Sequence, residues 1–387
     1  MTAQATLALF LLSPLAASAA DAFAFSSGPY VQSPLEGSAT IVWLTSRNAT
    51  GWVEYGKVGT APRRAVASRD GLIDAGGLVH KVPLTGLEPG AEYQYRVYAK
   101  EIIEYLPYRP RFGDVISSPP ATFRTAKPGP AVNFLFFTDV HGRTGMFTEL
   151  LKANAGRPYD FAVLGGDMLD HLDSHEQLRD LLGPVGDAFA GHIPFFWVRG
   201  NHETRGRYAR ELPRYIASPN GHYYYAFDWG PARLVVLDTG EDKEDGNREY
   251  SGLADFDAYR REQAAWLARE IRGEQWRKAK FRIVLAHMPF PAVPGKEWHG
   301  QLDCYRVFGP LLNEGGADLM LSGHQHQHAV IPPEPGQHGY AIVRGGAWNP
   351  EGRTVIRVEV EADQLRAVIL RPDGSEAGRW EARSRVR

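Results

Sequence analysis

Five short apolar runs in this chain each lead into polar residues able to hold a metal. Phe134-Leu135-Phe136-Phe137 leads to Asp139 and His141, and Phe161-Ala162-Val163-Leu164 to Asp167. Phe195-Phe196-Trp197-Val198 leads to Asn201 and His202, Ile283-Val284-Leu285 to His287, and Leu319-Met320-Leu321 to His324 and His326. Apolar runs of this length, bounded by Gly and polar residues, read as buried strands. Between them, Met146-Phe147 with Leu150-Leu151, and Tyr259 with Trp266-Leu267 and Ile271, repeat at helical spacing. Strands alternating with helices argue for a layered α/β domain over residues 131–387. Further strand-like runs follow at 341–343, 355–358 and 367–370. In open α/β sheets, ligands bind beyond the carboxyl ends of the strands, so the polar residues there are expected to converge.

The chain before Pro130 has a different pattern. Ile41–Thr45, Trp52–Tyr55 and Tyr93–Tyr98 are short β-branched and aromatic runs, the last with Tyr93, Tyr95 and Val97 alternating onto one face. Gly56, Gly59, Gly76-Gly77 and Pro89-Gly90 mark turns between them. Several short strands without helical period predict a β-sandwich over residues 22–126. Within it, Leu87-Glu88-Pro89-Gly90-Ala91-Glu92-Tyr93 resembles the turn and tyrosine corner of fibronectin type III modules. Residues 101–120 read as a long irregular insertion, and Lys127-Pro128-Gly129-Pro130 as a short stiff linker. The sandwich reads as a spacer or as a wall of the cleft.

Composition narrows the function classes. The 387 residues are 43% hydrophobic and 23% charged, ordinary for a globular protein, and a net charge of −2 predicts no nucleic-acid-binding surface. The single cysteine, Cys304, permits no intrachain disulfide and reads as a buried, inert thiol. At the N-terminus, Thr6–Leu12 is a short apolar core followed by the small residues Ala17-Ser18-Ala19. That pattern predicts a signal peptide over residues 1–19 and a periplasmic or secreted protein, although no Lys or Arg precedes the apolar run. No other stretch is long and apolar enough to span a bilayer.

The strand-end residues suit a pair of divalent metals. A carboxylate can place one oxygen on each of two ions, so Asp167 is the natural bridge. Asp139 with His141, and His324 with His326, sit two residues apart, and Asn201 and His287 complete a set of seven. Structural zinc sites instead use Cys and His pairs at short fixed spacings. The order Asp-x-His, Gly-Asp-x-x-Asp, Gly-Asn-His-Glu, His, Gly-His-x-His resembles the calcineurin-like metallophosphoesterase superfamily. It runs through Asp139–His141, Gly166–Asp170, Gly200–Glu203, His287 and Gly323–His326. The resemblance implies a four-layered αββα fold. One metal would be held by Asp139, His141, Asp167 and His326, and the other by Asp167, Asn201, His287 and His324. An N-terminal sandwich ahead of such a domain looks like purple acid phosphatases. Two positions depart from that subfamily: Asp170 stands where it has tyrosine, and it lacks the histidine found here at His141. The tyrosinate that colours those enzymes is therefore absent.

These residues imply a secreted dinuclear phosphoesterase in which a metal-bridging hydroxide attacks phosphorus and His202 assists the leaving group. Asp170 is expected to pair with His202 and favour its imidazolium. The metals are Mn, Fe, Zn or Co, which the donor set does not separate. Arg143, His175 and Arg205 are candidates for binding phosphate, and the loops Glu241–Gly252 and Pro289–Gly300 for setting specificity. His80, His171, His192, His222, His299, His328 and His338 read as structural or solvated, and the aromatic run Tyr223–Trp229 as sheet packing. The expected substrate is a small phosphate monoester. The alternatives are a phosphodiesterase or nucleotidase acting on nucleotides or phospholipid headgroups, and a cell-surface binding protein with a structural metal site. Oligomeric state does not follow from the sequence.

Overall fold

The computed structural model describes residues 22–291, 295 and 297–385, so the expected signal segment lies outside the described residues. The N-terminal unit runs through Phe25–Gln32 (β1), Ser38–Lys57 (β2), Arg63–Ala65 (β3), Ser68–Arg69 (β4), Leu72–Ile73 (β5) and Ala75–Thr85 (β6). It continues through Glu92–Glu104 (β7), Arg111–Ser117 (β8) and Ala121–Arg124 (β9). The runs around Trp43 and Val53, expected as separate strands, belong to the single long strand β2. Its first part pairs with β1 and β6 and its last part with β3 and β7, with a register shift between Leu44 and Ala49. Such an irregularity lets one strand serve both layers of a sandwich. Trp43, Val53, Tyr95, Val97 and Phe123 fill the space between them. The Tyr93 hydroxyl accepts the Glu88 backbone N–H at 2.9 Å, as a tyrosine corner does.

The expected irregular insertion is instead a hairpin. β7 continues to Glu104 and β8 returns antiparallel, with Tyr98 opposite Ser117 and Ile102 opposite Phe112. Ile103, Tyr105, Tyr108, Phe112 and Val115 are exposed there. With little of the hairpin buried, no inward–outward alternation marks it in the sequence.

The C-terminal domain opens with Val132–Phe137 (β10), Gly145–Ala153 (α1), Phe161–Leu164 (β11), His175–Val185 (α2) and Phe195–Trp197 (β12). Its middle is Tyr225–Trp229 (β13), Ala232–Leu237 (β14), Phe256–Glu270 (α3), Glu274–Lys278 (α4), Phe281–Ala286 (β15), His299–Gly315 (α5) and Leu319–Ser322 (β16). It closes with Ala329–Ile331 (β17), Ala341–Arg344 (β18), Val355–Val360 (β19), Gln364–Leu370 (β20) and Glu376–Arg383 (β21). These strands form two sheets, ordered β21-β20-β19-β10-β11-β12 and β13-β14-β15-β16-β18-β17. Strands β10, β11 and β12 are mutually parallel, as are β14, β15, β16 and β18.

Both faces of each sheet are covered, which explains the uninterrupted apolar runs. Phe134, Phe136, Phe161, Phe196, Phe227 and Leu285 pack between the sheets, and the Phe196 and Phe227 rings stack at 3.9 Å. On the outer face of the first sheet, Leu135 and Phe137 meet Phe147, Leu150, Leu178 and Leu182 of α1 and α2. On the outer face of the second, Val235 and Met320 meet Leu267, Trp276, Phe308 and Leu312 from α3, α4 and α5. Each such side chain contributes about 1.5–3 kcal/mol through burial. The layers are helix, sheet, sheet, helix, so the fold is the expected four-layered αββα domain preceded by a β-sandwich.

The two units are fastened together. Gln32 of β1 pairs in parallel with Phe195, the Tyr95 hydroxyl donates to the Gly191 carbonyl at 2.7 Å, and Gln32 Nε2 donates to the Tyr215 carbonyl at 2.9 Å. Cys304 is buried, and burial pushes its thiol up to about 12. Among the described residues, no helix is long and apolar enough to cross a membrane.

Candidate metal centre

The carboxyl ends of β10, β11, β12, β15 and β16 open onto the loops that carry all seven candidate ligands. These loops turn sharply. Asp139 (φ 55°), His141 (49°), Asp167 (53°), His324 (69°) and His326 (53°) all lie in the left-handed region, uncommon for residues other than glycine. Such backbone persists only where surrounding bonds enforce it, and it clusters at functional sites. Here the Asp139 N–H donates to the Gly166 carbonyl at 3.1 Å and the His141 N–H to the Asp167 carbonyl at 3.0 Å. A side chain at Gly200 would strike the Asp167 carboxylate, and one at Gly323 the Asp139 carboxylate and the Thr138 hydroxyl. Both glycines keep the space beside the carboxylates open.

The seven candidate ligands gather into two overlapping groups, and a third cluster sets Asp170 and His202 beside His141. Ligand atoms of Asp139, His141, Asp167 and His326 lie within 4.8 Å of one another, as do those of Asp167, His287 and His324. Asn201 joins the second group, its Oδ1 3.0 Å from His324 Nδ1. His328 belongs to neither. Asp167 is common to both and is almost fully buried.

A divalent ion fits these groups on two observations. His287 Nδ1–H donates to the Gly165 carbonyl at 2.9 Å, which turns the lone pair of Nε2 inward. That Nε2 is buried with no hydrogen-bond partner, yet stands 3.0 Å from Asp167 Oδ2. Two lone-pair donors at that separation need a cation between them. Burial opposes charge on His287, but the Asp167 carboxylate outweighs it and raises the imidazole to about 10. Positive charge is thus favoured between the two atoms, whether a proton or a metal supplies it. The second observation concerns His141, whose Nδ1–H donates to Asp170 Oδ1 at 2.7 Å, leaving Nε2 3.2 Å from His326 Nε2. A carboxylate behind an imidazole in this way is the usual outer partner of a metal-bound histidine. Burial lowers His324 to about 3, which keeps it neutral and able to donate a lone pair.

The Asp170 geometry corrects the expected pairing. Its carboxylate meets His141, whereas His202 Nδ1–H donates to the main-chain carbonyl of Asp170 at 2.7 Å. Asp170 therefore orients two imidazoles by different atoms. His202 Nε2 then faces the centre, 3.9 Å from Asp167 Oδ2 and 3.4 Å from Arg205 Nη1.

Sequence reasoning assigned no role to Glu203. Its buried carboxylate accepts the backbone N–H groups of Asp167 at 2.9 Å, Met168 at 2.7 Å, Leu169 at 3.1 Å and Gly200 at 2.8 Å. One side chain thus ties the Asp167 loop to the Asn201 loop. Burial raises this carboxyl to about 7, against the pull of the N–H donors. The available signal was a carboxylate directly after Asn201-His202 in a glycine-led turn, where backbone donors lack strand partners.

The cleft over the centre measures about 550 Å³ and is lined by His202, Arg205, Asp242, Lys243, Trp298 and His326, among others. Both expected specificity loops therefore reach it. Of the phosphate candidates, Arg205 lines the cleft but is held by Glu241 through bonds of 2.8 and 2.9 Å. Arg143 approaches Asp170 Oδ2 at 3.5 Å and stacks over Trp348 at 4.3 Å. His175 bonds the Tyr215 hydroxyl at 2.7 Å and does not line the cleft.

Residues 132–328 match the family described as Calcineurin-like phosphoesterase. The chain belongs to that family. Residues 30–125 match Purple acid Phosphatase, N-terminal domain. Purple acid phosphatase 18 of Arabidopsis thaliana is 23% identical over 74% of this chain and 62% of its own length. Acid phosphatase type 7 of Mus musculus is 23% identical over 81% of this chain and 72% of its own length. The chain thus spans a little over six-tenths of the Arabidopsis relative. The fold is shared with purple acid phosphatase PPD1 from yellow lupin seeds, at a TM-score of 0.68 and 14% identity over 91% of this chain and 73% of that one. It is shared also with PhoD, at 0.63 and 15% over 93% and 90%. This member of the family thus joins a phosphoesterase domain to an N-terminal domain of the purple acid phosphatase type.

Proposed function

We propose that this phosphoesterase is an exported, dinuclear metal-dependent phosphatase that hydrolyses phosphate monoesters. The observation that carries the reading is the buried, unpartnered His287 Nε2 set 3.0 Å from Asp167 Oδ2. Asp139, His141, Asp167 and His326 would hold one divalent ion, and Asp167, Asn201, His287 and His324 the other. Bound there, the ions would supply Lewis acidity to the phosphoryl oxygens and to water. The chain supplies the remainder. His202 is outside both ligand sets, and its Nδ1–H is fixed on the Asp170 carbonyl. Its Nε2 thereby faces the centre, where a proton taken up on that nitrogen would be aimed at the leaving oxygen. As the P–O bond breaks, that proton passes to the departing alcohol, the hydroxyl of water stays on phosphate, and the other water proton restores His202. Asp170 and Glu203 position the histidines and loops without touching substrate. The preference for monoesters is supported by likeness to proteins named acid phosphatases. Export is supported by the pattern at residues 1–19.

The test is hydrolysis of an aryl phosphate monoester and its matching diester by Mn²⁺-loaded protein, before and after chelation. A monoester preference abolished by chelation supports the reading. A diester preference replaces it with a phosphodiesterase. Turnover of neither ester by a metal-loaded protein overturns it in favour of a binding protein.

A further inference from the structure

Arg205 is a wall shared by two cavities. On one side lies the ligand-lined cleft with His202. On the other lies a larger cavity of about 890 Å³, lined by Arg199, Arg207, Arg210, Tyr223, Tyr250 and Phe256, among others. We propose that this second cavity receives the leaving group of the substrate, and that the leaving group is a ring-bearing alcohol carrying an anionic group of its own. The inference rests on the phosphatase reading above and names the substrate class for it.

Position is the first argument. Arg205 Nη1 is 3.4 Å from His202 Nε2, the atom that faces the leaving oxygen. An alcohol protonated there departs across the Arg205 guanidinium. That wall is rigid: the Glu241 carboxylate accepts from Arg205 Nε at 2.8 Å and Nη2 at 2.9 Å, from Thr204 Oγ1 at 2.7 Å and from the Tyr250 hydroxyl at 2.6 Å. A leaving group laid against it meets a preformed surface.

Size and lining are the second argument. The volume suits a multi-ring organic group and is far larger than methyl or glyceryl alcohols need. Tyr223, Tyr250 and Phe256 offer ring faces and edges, with Leu253 exposed at the rim. Arg199 lies over the Tyr223 ring at 4.2 Å, which fixes that ring in the cavity wall.

Charge is the third. Arg199 is paired with Asp238 at 2.7 Å, Arg205 with Glu241, and Glu249 with Lys243 at 3.2 Å. Arg207 and Arg210 are exposed on the same cavity, and neither has a carboxylate partner among the described residues. Arg207 Nε donates only to the Asp173 carbonyl, at 2.8 Å. Two guanidiniums without carboxylate partners, lining the same cavity as aromatic side chains, select an anion attached to a ring.

The experiment compares 6-carboxy-2-naphthyl phosphate with phenyl phosphate on the Mn²⁺-loaded full chain. The wild type is expected to prefer the carboxynaphthyl ester by about tenfold or more in kcat/KM. The double variant Arg207→Gln/Arg210→Gln, and separately Ala254→Trp, which fills the cavity, are each expected to lower that ratio about tenfold, mainly through KM. Equal use of both esters by the wild type overturns the proposal, as does a ratio unmoved in both variants. If neither ester is hydrolysed, the phosphatase reading fails by itself. The cavity is then read by fluorescence titration with 6-carboxy-2-naphthol. Saturable binding weakened in both variants upholds it, and absence of saturable binding overturns it.

Discussion

His80 in the sandwich and His287 in the phosphoesterase domain are both buried histidines, and they are electrostatic opposites. His80 is 4% exposed and His287 0%. His80 stacks on Trp43 at 5.2 Å, and its Nε2 meets the Thr45 hydroxyl at 3.0 Å. Burial lowers it to about 4. His287 suffers the same burial, but Asp167 raises it to about 10, and its Nε2 has no hydrogen-bond partner. Burial alone therefore does not distinguish a packing histidine from a ligand. What distinguishes them is whether a carboxylate shares the enclosure and whether a ring nitrogen is left over.

The comparison breaks most severely if the carboxylate is removed. Asp167→Asn removes the largest negative charge acting on His287, leaving the weaker pull of Asp139, and replaces one of the two carboxylate oxygens that the ligand groups share with an amide nitrogen. Turnover is expected to fall by more than about a thousandfold. Metal analysis of the purified variant should show that most of the bound metal is gone. Retention of full metal content would sink the bridging role of Asp167.

His202 sharpens the comparison from another side, because its Nε2 faces the centre beside Arg205 but belongs to neither proposed ligand set. Replacing it with Ala should reduce kcat by about a hundredfold to ten-thousandfold while metal content is unchanged. The loss should shrink for esters of very acidic alcohols, whose leaving oxygens need little protonation. An equal loss for all leaving groups would argue that His202 acts on something other than the departing oxygen.

Asp170 holds His141 in place by a bond that lies outside the enclosure, its side chain being 56% exposed. Asp170→Asn keeps the backbone carbonyl that orients His202 and removes the carboxylate charge that lies behind His141 and 3.5 Å from Arg143. Metal affinity at the Asp139–His141 position is expected to weaken about tenfold to a hundredfold. In a chelator competition, one of the two metals should leave earlier than in the wild type, with the other unaffected. Simultaneous loss of both would mean that Asp170 supports the centre as a whole.

Much of this was legible because it depends on periodicity and order. Apolar runs mark strands buried on both faces, and parallel strands bring their carboxyl ends to one edge, so Asp139, Asp167, Asn201, His287 and His324 converge without any detail of side-chain geometry. What was not legible depends on which atom a side chain meets. Asp170 serves His141 by its carboxylate and His202 by its main chain, and no spacing separates those choices. Glu203 binds backbone N–H groups, which carry no residue identity. The left-handed conformations at Asp139 and His141 are likewise held by bonds to the Gly166 and Asp167 carbonyls, in a loop far away in sequence. The hairpin of β7 and β8 escaped notice because its residues beyond Ile102 bury little, so hydrophobic alternation had no core to report.

The effect farthest from turnover is the pH response of His80 itself. Its pKa is lower in the folded state, about 4, than the ordinary 6.5 of an unfolded chain. The unfolded state therefore binds the proton first as pH falls. The stability this histidine contributes is fully present above about pH 6.5 and is lost progressively toward pH 4. A shift of this size corresponds to about 3 kcal/mol of acid destabilisation. His80→Gln keeps a polar group near Thr45 but cannot titrate. Urea unfolding of the whole chain, followed by tryptophan fluorescence, should give a variant somewhat less stable at neutral pH but with a flatter decline over that window. A decline as steep as that of the wild type would show that the acid sensitivity comes from groups other than His80, the carboxylates and imidazoles of the metal centre foremost among them.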